Sequence, residues 1–448
     1  MADFYAMYKE KLKTADEAVK VVKSGDVVFL GEFIEVPEAC EAALAKRVDE
    51  LHDVNLRGTT LSKKLKTVEA DPKREHFIYD DWHYGGMARG LHSKGLASYI
   101  PLTYHQGPRL ILKYLEHDVA IVQTTPMDRN GFFNFSTSNS LTMAHCKTAK
   151  KIIVEVNNTL PTCLGGNAEA IHISQVDMIV EGPNNPLIEI QPAPATDIER
   201  EIAKYVMDEI EDGSCLQLGI GGLPNVVGAL IAESDLKDIG VHTEMLVDSY
   251  VDMYNAGRIT GARKSIDKGK MVYTFAMGTN KLYDFLDNNP MCASYSVNYT
   301  NDPRMIALND KVVAINNALE VDLFSQVASE SNGFRQISGT GGQFDFIFGA
   351  FNSKGGKGLI CISSTFTDKK GEMHSRIVPT LGPGTIVTCP RSITHYVVTE
   401  YGIAQLKGKS TWQRAEALIE IAHPKFRDEL IEQAKEMNIW KRSNKLQG

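Results

Sequence analysis

The chain has 448 residues, of which 43% are hydrophobic and 23% charged, values typical of a globular protein with more than one domain. The formal net charge of −8 excludes the basic surface that nucleic-acid binding requires. The most apolar window, residues 216–232, is interrupted by glycines and a proline, so we predict no membrane-spanning helix.

The N-terminal residues and the cysteines favour a cytoplasmic location. Residues 1–18 contain no apolar core of the kind found in signal peptides. The seven cysteines are scattered and form no CxxC pair, which fits free thiols in a reducing compartment better than disulfides or zinc ligands. We therefore expect a cytoplasmic protein that does not associate with membranes.

The first half of the chain alternates predicted helices and short strands. A helix is predicted to begin after Thr14, because Glu17 three residues later completes a capping box. Residues 25–44 then run as glycine, apolar strand, glycine, loop, proline and helix. Short continuous apolar runs such as residues 151–156 are typical of strands covered on both faces. This alternation favours a mainly parallel α/β sheet.

The second half repeats this order of elements. Residues 25–31 and 213–219 have the same spacing between two glycines, and Thr196 with Glu199 repeats the first capping box. Self-similarity of this kind indicates an internal duplication. Four pairs of segments correspond, the first-half segment being given first in each pair: 25–44 with 213–230, 53–60 with 238–245, 118–131 with 358–371, and 149–157 with 394–402.

A proline-rich stretch divides the two halves. Residues 181–195 contain four prolines and are predicted to be a connector. We therefore predict an α/β protein with two similar, open, mainly parallel domains, residues 1–190 and 191–448. The tail is predicted to end in two helices, the second of which begins at Pro424.

The duplication draws attention to Glu244, because its counterpart in the first half is Thr59. The neighbours of Glu244 in the sequence are apolar, and no lysine or arginine lies close to it. A carboxylate in such an environment has a raised pKa and is a candidate covalent nucleophile, and exclusion of water protects an acyl intermediate. From these residues alone, a solvated strand end or an ion pair with a distant arginine is an open alternative.

Two glycine-rich segments are candidate binding loops. Residues 218–225 follow a predicted strand and open a helix, which suits the approach of a phosphate, although the third glycine of a dinucleotide fingerprint is missing. Residues 338–346 place three glycines in four positions, a pattern that exposes backbone N–H groups to a phosphate or an oxyanion. A tight strand–helix turn and a β-bulge are the respective structural alternatives.

Lysines beside glycines mark two further candidates for a phosphorylated ligand. Lys268 and Lys270 precede the turn at residues 277–279, and residues 354–358 read KGGKG. Solvated surface lysines are the alternative. The twelve histidines form no HxxxH or HExxH pair and no GxSxG elbow is present, so we expect neither a metal site nor a Ser-His-Asp hydrolase.

Taken in order, these motifs resemble the acetyl-CoA hydrolase/transferase family of class I CoA-transferases. The resemblance extends from about residue 5 to residue 443 and is particularly close to butyryl-CoA:acetate CoA-transferases and their 4-hydroxybutyrate relatives. The segments that carry it are LGIGGLPN, HTEM, SIDKGK, MGT, YTNDP, VDLFSQV, SGTGGQFDF, IVPTLGPG and YVVTEYG.

The resemblance implies a ping-pong exchange of CoA between short-chain acids, with acyl-CoA as substrate and no prosthetic group. Glu244 would attack the thioester to give an acyl-glutamyl anhydride and free CoA thiolate. The thiolate would then attack the glutamyl carbonyl, which releases the acid and leaves a glutamyl-CoA thioester. A second acid would reverse these steps. By the same resemblance we expect a homodimer or a dimer of dimers.

The resemblance also implies the remaining site residues. An oxyanion would be bound by the backbone N–H of Gly342, with Gly341 beside it, and by a second N–H that we place at Ile34. Asn301 would orient the glutamate or the thioester. CoA would contact the second half of the sequence at Gly219, Ile220, Gly221, Gly222, Lys268, Met277, Gly278, Thr279 and Lys357.

One loop departs from the family pattern. Residues 31–37 carry Glu32 and Glu35, whereas a smaller and less charged loop is expected in butyryl-CoA:acetate enzymes. We expect both carboxylates to point to solvent; if they line the acyl pocket instead, the identity of the acid changes.

The function that the resemblance implies is transfer of CoA from butyryl-CoA to acetate. The alternatives within the family are a 4-hydroxybutyrate or propionate CoA-transferase and an acetyl-CoA hydrolase. Two alternatives come from other classes of protein. An NAD-dependent oxidoreductase is disfavoured because this sequence lacks the third glycine of the dinucleotide fingerprint. A regulatory CoA-binding protein is disfavoured because it would have no use for Glu244.

Overall fold

A computed structural model describes residues 3–191, 194–219 and 221–441. Ile220, one of the predicted CoA contacts, lies outside the described residues. The chain divides into two compact units. The first comprises Met1–Ile190 and Val272–Thr300, and the second comprises Gln191–Met271 and Asn301–Gly448. The segment Val272–Thr300 therefore packs in the first unit, although it lies in the second half of the sequence.

Helices and short strands alternate along the chain, as the sequence predicts. The α-helices are α1 Phe4–Lys11, α2 Ala15–Ala18, α3 Glu38–Ala45, α4 Lys66–Ala70, α5 Gly86–His92, α6 Gly107–Tyr114, α7 Thr142–Thr148, α8 Asp197–Met207, α9 Gly222–Glu233, α10 Asp248–Asn255, α11 Asn280–Leu286, α12 Val297–Thr300, α13 Pro303–Ala307, α14 Gln343–Asn352, α15 Thr411–Glu420 and α16 Arg427–Glu436. The 3-10 helices are Val19–Val21, Val48–Glu50, Tyr104–Gln106, Ile173–Gln175 and Pro424–Phe426.

The strands are β1 Val27–Glu32, β2 Val54–Thr59, β3 Phe77–Asp81, β4 Ala97–Tyr99, β5 His117–Thr124, β6 Phe132–Asn134, β7 Ala149–Val156, β8 Ala170–His172, β9 Met178–Glu181, β10 Cys215–Leu218, β11 Gly240–His242, β12 Met245–Leu246, β13 Met271–Tyr273, β14 Phe275–Ala276, β15 Cys292–Ser294, β16 Val312–Asn317, β17 Glu320–Asp322, β18 Val327–Ala328, β19 Ser331–Asn332, β20 Arg335–Gln336, β21 Lys357–Cys361, β22 Thr365–Thr367, β23 Met373–Ser375, β24 Ile377–Val378, β25 Tyr396–Thr399 and β26 Gly402–Gln405.

The first unit is built on a parallel seven-stranded sheet in the order β4-β3-β2-β1-β5-β7-β9. Its central strands are continuous apolar runs because both of their faces are buried. In β1, Val28 and Leu30 belong to one hydrophobic cluster and Phe29 to another. In β7, Ile153 and Val154 divide in the same way. Successive side chains of one strand thus supply cores on opposite faces of the sheet.

The second unit has the same type of sheet. Six strands lie side by side in the order β11-β10-β16-β21-β25-β26. The pairs are parallel except for the hairpin of β25 and β26. The predicted fold class, two open and mainly parallel α/β sheets, is therefore confirmed.

Equivalent positions of the two halves have equivalent backbone geometry. The N–H of Gly25 donates to the carbonyl of His52 at 3.0 Å, and the N–H of Gly213 donates to the carbonyl of Lys237 at 2.9 Å. The next residues of those partner segments, Asp53 and Asp238, have φ angles of 56° each. Matching left-handed residues at matching positions support an internal duplication.

The turn at Asp128 is repeated at Asp368. Each aspartate accepts an N–H two residues later at 2.8 Å, and each is followed three residues later by a glycine with a φ of 84°. These turns follow β5 and β21, so the two strands correspond. However, β5 pairs directly with β1, whereas β16 separates β21 from β10. The second sheet thus contains one strand more than the first sheet at this point.

The predicted capping boxes are present at both helix starts. Thr14 and Glu17 cap α2, and Thr196 and Glu199 cap α8, each through reciprocal hydrogen bonds. Pro424 opens the short 3-10 turn that leads into α16. Among the described residues, the apolar helices are all too short to cross a membrane.

Candidate active site

Glu244 lies at the carboxyl edge of the second sheet, which is where open α/β sheets bind their ligands. It follows β11 by two residues, and β11 runs parallel to the neighbouring strand β10. The hydroxyl of Thr243 donates to the carbonyls of Leu218 at 3.3 Å and Met245 at 3.0 Å. These bonds fix the bend that carries Glu244 away from the sheet.

The carboxylate of Glu244 is held by two donors. The side-chain amide of Asn301 donates to Oε2 at 2.5 Å. The backbone N–H of Gly342 is the second donor. Gly342 is the N-cap residue of α14, so the carboxylate lies at the positive end of a ten-residue helix. Glu244, Asn301 and Gly342, three residues predicted from the sequence, are thus brought together within the second unit.

The surroundings of Glu244 raise its pKa to about 7. Burial is the largest cause, and the negative charge of Asp345 adds to it. The hydrogen bonds from Asn301 and Gly342 oppose the shift. Glu244 itself is partly buried, while its four apolar neighbours in the sequence are buried. At neutral pH a large fraction of the carboxyl groups is therefore ionised, in a site that is poor in water.

The two glycines before α14 are required for different reasons. Gly341 has a φ of 53°, a conformation that favours glycine. Gly342 has an ordinary φ of −91°, but a Cβ atom there would overlap the carboxylate of Glu244. Only a residue without a side chain lets the backbone N–H approach the carboxylate so closely.

Asn301 has one further hydrogen-bonding atom. Its side chain is fully buried, and its Oδ1 atom accepts no hydrogen bond from the described residues. Buried polar atoms are rarely left without a partner, so this atom is an exception among the described residues.

A carboxyl group is nucleophilic only when it is ionised, so for a reaction that Glu244 begins we predict a kcat/KM that rises about tenfold per pH unit on the acid side and levels off above a pH of about 7. In Asn301→Ala we expect this acid limb to move to higher pH, because the hydrogen bond that the substitution removes stabilises the ionised form of Glu244. Steady-state rates between pH 5.5 and 8 measure both effects.

The exposed Asn352 at the end of α14 offers a control for this prediction. Asn352→Ala should leave the acid limb where it is in the wild type. A kcat/KM that is flat between pH 5.5 and 8 would contradict the raised pKa of Glu244. An unshifted limb in Asn301→Ala would contradict the role of the hydrogen bond.

The predicted phosphate loop lies at the same edge of the sheet as Glu244. Gly219 directly follows β10, and α9 begins at Gly222 with Gly221 as its N-cap residue. Gly221 has a φ of 131°, which explains the need for glycine. A Cβ atom at Gly222 would collide with the carboxylate of Glu199, so the packing at this position leaves no room for a side chain.

Lys268 and Lys357 are not brought to Glu244. Lys357 is the first residue of β21, at the opposite, amino edge of the parallel sheet, where its Nζ lies 2.7 Å from Glu209. Lys268 is exposed in the loop before β13, and the neighbouring Ser265 donates its N–H to Asn309, just before β16. The assignment of these two lysines to CoA stays a prediction.

The turn Met277-Gly278-Thr279 belongs to the first unit and is firmly held there. The N–H of Gly278 donates to the hydroxyl of Tyr283 at 3.2 Å, and its carbonyl accepts from Ile190 at 2.8 Å. Thr279 is the N-cap residue of α11. The assignment of this turn to CoA stays a prediction.

Ile34 also lies in the first unit. The residue is fully buried, and its backbone N–H donates no hydrogen bond among the described residues. Buried N–H groups without a partner are rare. This observation agrees with the predicted role of Ile34 as a donor to an oxyanion, which stays a prediction.

The expectation that Glu32 and Glu35 point to solvent is wrong. They are 1% and 2% exposed. Glu35 accepts hydrogen bonds from the N–H and hydroxyl of Thr137, and Glu32 accepts from the N–H of Leu141 and the hydroxyl of Thr142. These donors bind one oxygen of each carboxyl group inside the protein. They come from a segment about a hundred residues further along the chain, so the sequence around Glu32 and Glu35 could not reveal them.

Asp345 was not singled out in the sequence, although it lies in the glycine-rich segment. It is fully buried in the first turn of α14 and raises the pKa of Glu244 by its charge. The available signal was an aspartate between two phenylalanines, an apolar setting like that of Glu244 itself.

Comparison with known proteins identifies the family. The acetyl-CoA hydrolase/transferase N-terminal domain matches residues 1–190, and the C-terminal domain of the same family matches residues 278–434. The chain is 54% identical to the butyryl-CoA:acetate CoA-transferase of Anaerostipes caccae over 99% of this chain and 100% of that protein. It is 52% identical to a probable butyrate:acetyl-CoA coenzyme A-transferase of Syntrophomonas wolfei over 98% of each.

Solved structures agree with the sequence relatives. RipA from Yersinia pestis superposes with a TM-score of 0.88 and 37% identity, covering 98% of this chain and 100% of that one. The 4-hydroxybutyrate CoA-transferase of Porphyromonas gingivalis gives a TM-score of 0.78 and 34% identity, covering 97% and 100%. The resemblance seen in the motifs is thus confirmed, and the chain belongs to the acetyl-CoA hydrolase/transferase family.

Proposed function

We propose that the protein is an acyl-CoA:carboxylate CoA-transferase that moves CoA from butyryl-CoA to acetate through a covalent intermediate on Glu244. The observation that carries this proposal is the carboxylate itself, partly buried, ionisable near neutral pH and held by Asn301 and Gly342. The substrates are taken from the relatives that are 54% and 52% identical to this chain.

The chemistry follows from the state of this carboxylate. Ionised Glu244 attacks the thioester carbonyl, forming a C–O bond and expelling CoA as its thiolate. The thiolate then attacks the glutamyl carbonyl of the mixed anhydride, and the acid leaves as its carboxylate. Acetate attacks the resulting glutamyl-CoA thioester, which expels CoA thiolate and gives an acetyl-glutamyl anhydride. The thiolate then attacks the acetyl carbonyl, and acetyl-CoA and the free Glu244 carboxylate result. No net proton transfer is needed, so the site requires no general acid.

The two donors on Glu244 have a second task in this scheme. In the free enzyme they bind a carboxylate oxygen, and that oxygen becomes the carbonyl oxygen of the glutamyl thioester. When a nucleophile attacks that carbonyl, negative charge develops on this oxygen, beside the N–H of Gly342 and the amide of Asn301. Donors that are already in place stabilise such a charge without reorganisation.

A 4-hydroxybutyrate CoA-transferase is the second candidate. A protein of that name from Clostridium kluyveri is 43% identical over 96% of this chain. The proposal of butyryl-CoA over 4-hydroxybutyryl-CoA therefore rests on the higher identity, 54%, of the butyryl-CoA:acetate CoA-transferase. Proteins named acetyl-CoA hydrolase are only 24–25% identical, which makes hydrolysis the weaker candidate. We also propose a cytoplasmic location and a homo-oligomer, as expected from the sequence.

A panel of acyl donors and acid acceptors, with products identified by mass, tests the proposed function. Butyryl-CoA with acetate should give acetyl-CoA and butyrate at the highest kcat/KM. Incubation with butyryl-CoA followed by hydroxylamine or borohydride should modify one residue, Glu244, and peptide mapping should find it there. Release of free CoA without acetyl-CoA would instead indicate a hydrolase, and a preference for 4-hydroxybutyrate would favour the second candidate.

A further inference from the structure

A second carboxylate lies at the start of α14, the helix whose N-cap residue binds Glu244. The N–H of Phe346 donates to the carbonyl of Gly342 at 2.9 Å, so the first turn of the helix begins at Gly342. Asp345 is the third residue after this N-cap residue. Side chains of a helix lean toward its N-terminus, and an acidic side chain at this position can reach back to the N-cap residue. The carboxylates of Asp345 and Glu244 therefore share one end of one helix.

Little water reaches this pair of carboxylates. Asp345 is fully buried, and Glu244 is partly buried. A Cβ atom at Gly342 would lie 2.9 Å from the carboxyl carbon of Glu244, so this carboxylate packs directly against the first turn of α14. Two like charges repel each other more strongly in such surroundings than in water.

Among the described residues, the charged group that acts on Glu244 is Asp345. No lysine or arginine in the described part of the chain forms an ion pair with Glu244. On α13, which packs against α14, the guanidinium of Arg304 is bound to Asp302, with Nη2 2.6 Å from Oδ2. The repulsion between Asp345 and Glu244 is thus not offset by a cation of the described residues bound to Glu244.

Three other titratable side chains lie around the first turn of α14. Glu330, which precedes the glycine-rich loop, is 4% exposed. The thiol of Cys389 lies 4.0 Å from Oε1 of Gln343, and burial raises the pKa of this thiol well above its usual range. His242 of β11 is buried, with its ring centroid 6.4 Å from that of Phe346. The covalent steps proposed above change the charge of Glu244 and leave these three side chains as they are.

The charge on Glu244 disappears when this residue reacts. Ionised Glu244 and acyl-CoA give the glutamyl-CoA thioester and the free acid as its carboxylate, so the negative charge leaves the enzyme with the acid. A neighbouring negative charge raises the free energy of the ionised glutamate but not that of the neutral thioester. It therefore favours the thioester over the free enzyme.

We propose that Asp345 acts through Glu244, its negative charge shifting the equilibrium between the free enzyme and the glutamyl-CoA thioester toward the thioester. The inference rests on the proposed CoA transfer and adds a residue that forms no bond with the substrate. Burial and the charge of Asp345 raise the pKa of Glu244 to about 7, which agrees with this role. Protonation and thioester formation remove the same charge, so one interaction sets both the pKa and the equilibrium constant, and one pKa unit corresponds to a factor of about ten.

The test removes the charge of Asp345 and keeps the size of its side chain. In Asp345→Asn the acid limb of kcat/KM should move to lower pH by about one unit, because the ionised form of Glu244 is no longer repelled. At a pH of about 8.5, where Glu244 is ionised in both proteins, the equilibrium constant for thioester formation should fall by the same factor, about tenfold. Enzyme mixed with butyryl-CoA and butyrate, quenched in acid and weighed as intact protein by mass spectrometry, gives this constant.

Asp322 in the same unit is a matched control. It is fully buried, burial raises its pKa, and its Oδ1 accepts the N–H of Gln326 at 2.8 Å. Its charge is not among those that act on Glu244. Asp322→Asn should therefore leave both the acid limb and the thioester equilibrium at their wild-type values, whatever its effect on thermal stability.

Two further variants decide the question if Asp345→Asn does not fold. Asp345→Glu keeps the charge and should keep the acid limb near its wild-type position, whereas Asp345→Ser removes the charge and should move the limb as asparagine does. A wild-type thioester on Glu244, with a limb or an equilibrium constant that is unchanged in the uncharged variants, overturns this inference alone. Equal shifts in Asp322→Asn would also overturn it, because the effect would then be a general one of lost buried charge. A wild type that forms no thioester on Glu244 overturns the proposed function and this inference with it.

Discussion

Glu244→Gln is expected to lower the rate of CoA transfer by at least about 1000-fold, because an amide cannot form the acyl-enzyme bond. The substitution keeps the size of the side chain and an oxygen that accepts from Asn301. The structure around the site should therefore remain intact, and the loss is one of chemistry. Glu244→Asp should also be strongly impaired, since its shorter side chain withdraws the nucleophile from the bound thioester.

The measurement is the steady-state rate of acetyl-CoA formation, together with mass mapping after hydroxylamine treatment. Glu320 in the same unit is a matched control, because burial raises its pKa as well and the charge that acts on it is that of Arg376, not of a residue that binds Glu244. Glu320→Gln should transfer CoA at close to the wild-type rate. Full activity in Glu244→Gln would contradict a covalent intermediate on Glu244.

Glu244 could be singled out from the sequence as a candidate nucleophile because two independent patterns meet at this residue. Its apolar neighbours in the sequence predicted burial, and all four are buried. The duplication aligned it with Thr59, the last residue of β2, and Glu244 follows the corresponding strand β11. A scaffold that accepts threonine at this position does not require a carboxylate, so the carboxylate points to function.

The positions of the lysines could not be predicted in the same way. The motif around Lys268 and the glycines beside Lys357 suggested phosphate binding, which stays a prediction, but not that both residues lie at the amino edge of the second sheet. A short motif gives the residue types of a loop but not the end of the strand at which the loop lies. Only the strand direction decides this, because the loops at opposite ends of a parallel strand lie at opposite edges of the sheet.

The burial of Glu32 and Glu35 was missed for a different reason. Charged residues are almost never fully buried unless they are paired, so exposure was the reasonable expectation. Their partners are hydroxyl and backbone N–H groups of residues 137–142, which carry no opposite charge and lie about a hundred positions away in the sequence. The run of serines and threonines at residues 136–142 was the only sign of such donors.

Gly342→Ala is expected to reduce CoA transfer by roughly 100-fold to 1000-fold, a loss comparable with that from removing an oxyanion donor. The backbone at Gly342, with φ −91° and ψ 2°, is one that alanine adopts without strain. A Cβ atom there, however, would overlap the carboxylate of Glu244 and lie 2.5 Å from the amide nitrogen of Asn301. The side chain of Glu244 must therefore move away from both donors.

The folding cost of this substitution should be small, which separates it from a general loss of structure. Gly342 is an N-cap residue, where alanine in place of glycine costs on the order of 1 kcal/mol or less. Circular dichroism and thermal unfolding should thus stay near wild type while kcat falls and the acid limb of kcat/KM, set by the pKa of Glu244, changes position. Gly382 in the same unit is the control, since a Cβ atom there meets nothing closer than 3.8 Å. Gly382→Ala should leave activity unchanged, and a fully active Gly342→Ala would show that Glu244 does not depend on the N–H of residue 342.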